Sequence, residues 1–248
     1  MMIINNLLNF VNKFLGSTEA AIGNLIASKD SRKILNVFYE LTSLRYFIAG
    51  MEVFGLFAFS SMFISLWVGE EFVLSSMTVN IMIVYIFLMQ TRGTNDQFIY
   101  GYGLFGDIWA AFVEMGISLG CAITLGYFYG LPGVISGGVI GMTLIVYLWK
   151  PYYLFSRGFK IHLWHYWKAI LKLILLILLS SYIAMRIKDL MFPTPSTHFL
   201  DFFVGAIVSA IIYGVISFGL FYLFDRGTKF FVNRLFSQIL KRGKSSGK

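Results

Sequence analysis

Long apolar runs, broken by short charged or glycine-rich intervals, dominate the chain. Six of them, over residues 45–68, 73–91, 107–128, 131–149, 166–187 and 199–224, come close to or exceed the roughly 20 residues a helix needs to cross a bilayer. Each is bounded by charge, Gly or Pro. A seventh run, 2–27, is weaker because polar residues recur within it. The pattern predicts an all-α, polytopic integral membrane protein of about seven transmembrane helices. If 2–27 is instead an amphipathic or re-entrant element, six remain.

Composition agrees with that reading. Of 248 residues, 58% are hydrophobic and 13% charged, against roughly 25% charged in an ordinary soluble domain. So much apolar bulk excludes a disordered chain, a coiled coil and a collagen-like repeat. The net charge of +8 does not argue for nucleic acid, because the basic residues sit between apolar runs and not on one soluble surface. Cys121 is the single cysteine and lies in an apolar run, where it packs as a small hydrophobe.

The placement of Lys and Arg predicts orientation, since cytoplasmic loops carry the excess. Sixteen of the 20 basic residues fall on one side: Lys29, Arg32, Lys33, Arg45, Arg92, Lys150, Arg157, Lys160, Lys168 and seven after Asp225. The opposite loops hold only Arg186 and Lys188. The C-terminal tail is therefore expected in the cytoplasm, with the loops at 70–71, 127–131 and 188–200 facing outward. Seven spans then put the first residues outside, and 2–27 lacks the features of a cleavable signal peptide, so a preceding segment is expected. In the tail, 226–242 alternates basic and apolar residues, a pattern suited to an interfacial helix on anionic lipids; the last residues, GKSSGK, read as a solvated end.

Polar residues inside the apolar runs are the candidate chemistry. Asn5, Asn9, Asn12, Gly16 and Glu19 recur at helical spacing, with Asn6, Lys13, Ser17 and Asn24 forming a second stripe beside them. Such an arc cannot face lipid without penalty, so it faces either a wet cavity or another helix, to which its Asn side chains would bond. Glu52 and Glu114 lie inside spans, at a cost of roughly 2.5–3.5 kcal/mol for each charge at mid-membrane. Each is expected either to pair with Arg45 or Arg92 or to bind a proton or cation. Lys172, within a Leu- and Ile-rich run, reads as a structural residue whose amine snorkels to the boundary.

Other motifs carry less. Residues 101–106, GYGLFG, match GxGxxG, but no parallel-sheet unit surrounds them and no acid follows at the ribose-binding distance. His162 and His165 stand one turn apart without an evident third metal ligand, among Trp164, Tyr166 and Trp167, as in an interfacial aromatic belt. No cofactor, metal site or covalent chemistry is expected. Gly126, Gly130, Gly133, Gly137, Gly138 and Gly141, and separately Ala206, Ala210 and Gly214, form ridges of small residues that let helices approach closely.

Four segments together carry a resemblance: GSTEAAIGNLIASKDSRKI, then SLWVGEEF, then GLFGDIWAAFVEMGISLGCAITLGYFYGLPGVISGGVIG, and finally WKPYYLFSRGF. Over residues 5–160 the chain resembles the Wzx-type polysaccharide and O-antigen flippases of the multidrug/oligosaccharidyl-lipid/polysaccharide exporter superfamily. It resembles their second lobe only, and its seven runs correspond to the last seven of fourteen spans. Residues 161–225 add two further spans, and 226–248 the basic tail. The resemblance implies a bacterial inner-membrane protein that flips undecaprenyl-diphosphate-linked oligosaccharides, without being an enzyme. By the same resemblance, Lys13, Arg45 and Arg92 would contact the diphosphate, Asn5, Asn9 and Asn12 would line the sugar path, and Glu19, Glu52 and Glu114 would couple transport to an ion. Expected partners are the lipid-linked oligosaccharide, anionic membrane lipids, and a separate N-terminal half or a second copy; nucleic acid is not one. Two other readings stand beside it: a non-transporting scaffold or inactive remnant, and a membrane-embedded enzyme acting through Glu70, Glu71 or His198.

Overall fold

The computed structural model describes residues 19–193 and 198–245, with the side chains of 21–193 and 198–237. Its elements are α1 (Glu19–Ala27), α2 (Ser31–Trp67), α3 (Ser76–Thr91), α4 (Gly93–Gly101), α5 (Ile108–Tyr129), α6 (Leu131–Phe159), α7 (Trp164–Met191), α8 (Phe199–Phe224) and α9 (Arg226–Ser245). No strand occurs among the described residues. Five helices, α2, α5 with its preceding turn, α6, α7 and α8, are long and apolar enough to cross a membrane, which makes this a multi-pass membrane protein. Their outward faces are apolar, as lipid contact requires: Phe112, Leu119 and Ile123 on α5, Leu175 and Leu178 on α7, and Ile211 on α8 are all exposed.

Helix α2 is the spine. Its 37 residues extend about 55 Å at 1.5 Å per residue, well beyond a hydrocarbon core of roughly 30 Å. The sequence predicted a span beginning at 45, yet the helix starts at Ser31 because Asp30 caps it, its carboxylate accepting the Lys33 N–H at 3.1 Å. The added turns bury Ile34, Phe38 and Leu41, the i, i+4, i+7 face of an amphipathic helix. Phe38 sits edge-on to Phe98 of α4 and to Phe155 and Phe159 of α6, with centroids 5.1–5.7 Å apart. This end of the bundle also carries Asp225, Lys29, Arg32, Lys33 and α9, and is its basic end.

The other helices attach to that spine directly or in pairs. Helix α3 has 16 residues, about 24 Å, and runs antiparallel to α2, with Phe87 edge-on to Tyr46 at 5.5 Å. Ser75 caps it by accepting the Thr78 N–H at 3.3 Å. Helices α5 and α6 form an antiparallel hairpin, turning at Gly130, whose φ of +65° is strained for residues with a Cβ. Gly133, Gly137 and Gly141 press against the α5 backbone at Leu125, Ala122 and Glu114, while Gly138 receives the Tyr85 ring of α3. Helix α6 runs past Pro151, where the sequence predicted an end at 149. Two π-helical stretches, Thr143–Trp149 and Leu154–Phe159, flank the proline and widen the helix where a regular ladder would lose a bond and clash. Left-handed Lys160, φ +56°, ends it. On α8 the inward stripe is Gly205, Ser209, Tyr213 and Ser217, so the predicted Ala206–Ala210–Gly214 ridge lies beside the contact line and Ala210 is exposed.

Candidate functional site

Arg45, Glu52, Arg92, Asp96, Glu114 and Lys150 gather where α2, α3, α4, α5 and α6 meet. Antiparallel packing of α2 on α3 brings Glu52 to Gln90, whose amide N–H donates to the carboxylate at 3.3 Å. Two turns earlier on α2, the Arg45 guanidinium donates to the Gln90 carbonyl at 3.4 Å and is 2% exposed. It lies flat over Gly93, where any Cβ would strike it. That glycine sits at the α3–α4 junction because the guanidinium leaves no room for a side chain.

One residue before Gly93, Arg92 begins a four-charge chain. Its Nε donates to Asp96 at 3.2 Å and its Nη1 approaches Glu114 of α5 at 3.5 Å. Asp96 also accepts from Lys150 of α6. Two cations and two acids thus tie α3, α4, α5 and α6 together with no net charge, which lowers the penalty of placing ions away from bulk water. Beside them Asn95 donates to the Tyr166 hydroxyl at 3.1 Å, and Thr91 is hydrogen-bonded to Tyr147.

The sequence-predicted site residues therefore fall into three groups. Arg92 and Glu114 are paired. Arg45 and Glu52 meet at opposite ends of Gln90 without a direct bond to each other. Asn5, Asn9, Asn12 and Lys13 lie outside the described residues, as does the side chain of Glu19. The histidines make local contacts only: His162 Nδ1 accepts the Trp164 N–H at 3.1 Å, and Lys168 stands 5.8 Å over the Trp164 ring. Among the described residues no three His, Cys, Asp or Glu gather as metal ligands would.

A second polar cluster fixes α9 to the basic end. Asp225, between α8 and α9, accepts from Lys172 at 2.6 Å, from the Ser43 hydroxyl at 2.6 Å and from the Thr228 N–H at 2.8 Å. Burial alone would raise its carboxyl pKa, but these donors outweigh burial and hold it below the ordinary carboxylate value. Two residues along, Gly227 lies so close to Ser43 and the Tyr39 carbonyl that no Cβ fits. Farther on, Arg234 pairs with buried Glu40 of α2 at 2.7 Å. Lys172 is thus ion-paired and does more than snorkel.

Sequence reasoning missed Gln90, Asp96, Glu40 and Asp225. For Asp225 a signal existed: an Asp three residues before Thr228, at the start of an amphipathic run, is a helix-cap pattern. Asp96, four residues after Arg92, was open to an i,i+4 reading. Glu40 and Gln90 carried no local signal, because their partners lie on other helices. Scans of the chain against protein-family models, curated proteins and solved structures return no match.

Proposed function

We propose that this chain is the second lobe of a flippase for diphosphate-linked lipid oligosaccharides in a bacterial inner membrane, with both α9 and the basic end in the cytoplasm. The reading rests on the four resembling segments and is supported by one observation above all: arginines and carboxylates gather inside the helical bundle, Arg92 paired with Glu114 and Arg45 and Glu52 each bonded to Gln90. In this mechanism the seven runs all cross, and the polar arc of 2–27 forms one wall of a path whose other wall is a first lobe, supplied by a separate half or a second copy. The incoming diphosphate competes with Glu114 for Arg92, since at 3.5 Å that carboxylate is the looser of its two partners. Released Glu114 then takes up a proton or cation. Rocking of the two lobes about a site near the bilayer centre carries the sugar across, and no covalent bond changes.

The second reading, a non-transporting scaffold, is favoured by the internal pairing of Arg92 with Asp96 and Glu114, which is what a purely structural network would also do. Substitution separates the two. Replacing Lys13 and Arg92 with Ala, in cells that supply the first lobe, is expected to abolish surface polysaccharide while the protein still inserts at wild-type level. Unchanged surface polysaccharide in both variants would contradict the flippase reading.

A further inference from the structure

A pocket of about 410 Å³ opens at the basic end between α1, the first turns of α2, and α9. Its floor is apolar, formed by Ile22, Leu25, Val37 and Leu41, and its rim carries Lys33 from α2 and Arg234 from α9. Among the described residues that line it, none is acidic. Glu40 holds Arg234 from one side at 2.7 Å, leaving that arginine side chain 45% exposed. The corner between α1 and α2 adds Lys29 and Arg32, both exposed; Lys29 takes the left-handed conformation, φ +58°, and sets the turn that brings α1 alongside α2.

We propose that this pocket binds a phospholipid with an anionic headgroup. The phosphate sits between Lys33 and Arg234, and the glycerol and upper acyl carbons lie on Ile22, Leu25 and Val37. Three features select this occupant. Two cations on the rim, with no carboxylate among the described lining residues, favour a negative group and oppose the ammonium of a zwitterionic lipid. A floor of aliphatic side chains offers nothing to free inorganic phosphate, which keeps its hydration on every side, but matches the apolar part of an amphiphile. The pocket also adjoins a basic helix, α9, at the end of a transmembrane bundle, the level at which headgroups lie. This site goes beyond translocation and does not depend on it.

The test uses the full chain purified in neutral detergent, with its thermal midpoint followed against dioctanoyl phosphatidylglycerol, dioctanoyl phosphatidylcholine and inorganic phosphate in turn. Phosphatidylglycerol alone is expected to raise the midpoint saturably. Lys33→Ala is expected to weaken that response about fivefold, the share of one cation near an anionic headgroup. Ala21→Trp, which fills the pocket from an exposed position without altering charge, is expected to abolish it. An equal response to phosphatidylcholine or to phosphate would overturn the proposal, as would an undiminished response in Ala21→Trp. If Ala21→Trp does not fold, Lys33→Glu decides: loss of the response supports the site and its retention overturns it.

Discussion

Replacing Asp225 with Ala is expected to lower the stability of the protein by about 2 kcal/mol, the loss of a helix cap together with an ion pair whose carboxylate is buried and whose lysine is partly exposed. For a chain of this size that corresponds to a fall in thermal midpoint of roughly 4–8 °C. The effect is large because one carboxylate satisfies Lys172, Ser43 and the first turn of α9 together. Without it, Lys172 keeps its charge with no counter-ion and α9 loses its cap. Trypsin cleavage at Lys229 and Arg234 should therefore speed up before the bundle itself unfolds. Asp225→Asn, which retains an acceptor for Thr228, should cost less.

The same carboxylate sets a pH dependence with a definite sign. Its pKa in the folded protein lies below the ordinary carboxylate value, so its stabilisation is complete above about pH 4, where the unfolded group is ionised. It is lost as the pH falls through the lower, folded value. The gap in melting temperature between wild type and Asp225→Asn should accordingly stay constant near neutrality and shrink below about pH 4. A gap that widened on acidification would contradict the assignment.

Gly137→Leu is the second substitution with a large expected effect. Gly137 meets the Ala122 backbone and the Ser118 carbonyl of α5, neither of which can rotate aside as a side chain could. Overpacking usually costs about 1–3 kcal/mol, and the rigid backbone neighbours place this case at the upper end. The hairpin should open and the yield of monodisperse protein on size exclusion should collapse. Gly116→Leu is the matched control. It is on the exposed face of α5, where an added Cβ meets nothing within 4 Å, and its elution profile should match wild type.

The contrast between those glycines marks what the sequence could convey. The hairpin ridge was readable because the short turn at Gly130 forces α5 and α6 to lie antiparallel against each other, so small residues along it fall at their contact. On α8 the equally regular Ala206–Ala210–Gly214 pattern misled by one position. Lipid and neighbouring helix are both apolar there, so spacing alone does not say which stripe faces inward. The inward line is instead set by Gly50 of α2, which leaves room for the Tyr213 hydroxyl. The early start of α2 and the run of α6 past Pro151 escaped a criterion based on unbroken apolar runs. Both depend on features that such a criterion ignores, an amphipathic face and a widened turn.

The candidate site divides in the same way. Pairing of Glu114 with Arg92 was among the expected alternatives, because an acid inside a span needs a cation and few were near. Glu52 accepts from an amide, Gln90, and not from Arg45 or Arg92, which was one of its two expected alternatives, since α3 presents that side chain at the required height. The joining of Asp96 to Lys150 and of Asp225 to Lys172 depends on how helices distant in sequence come together, which no local pattern encodes.

The central claim, that a diphosphate-linked glycan passes along the polar arc of the first run, is tested most directly by photocrosslinking in living cells. Benzoylphenylalanine is placed at Asn9 in one strain and at Ile211, on the lipid-facing side of α8, in another, with the lipid-linked oligosaccharide radiolabelled through its sugar. A labelled adduct at Asn9 and none at Ile211 is the expected result. No adduct at Asn9, or equal labelling at both positions, would contradict it.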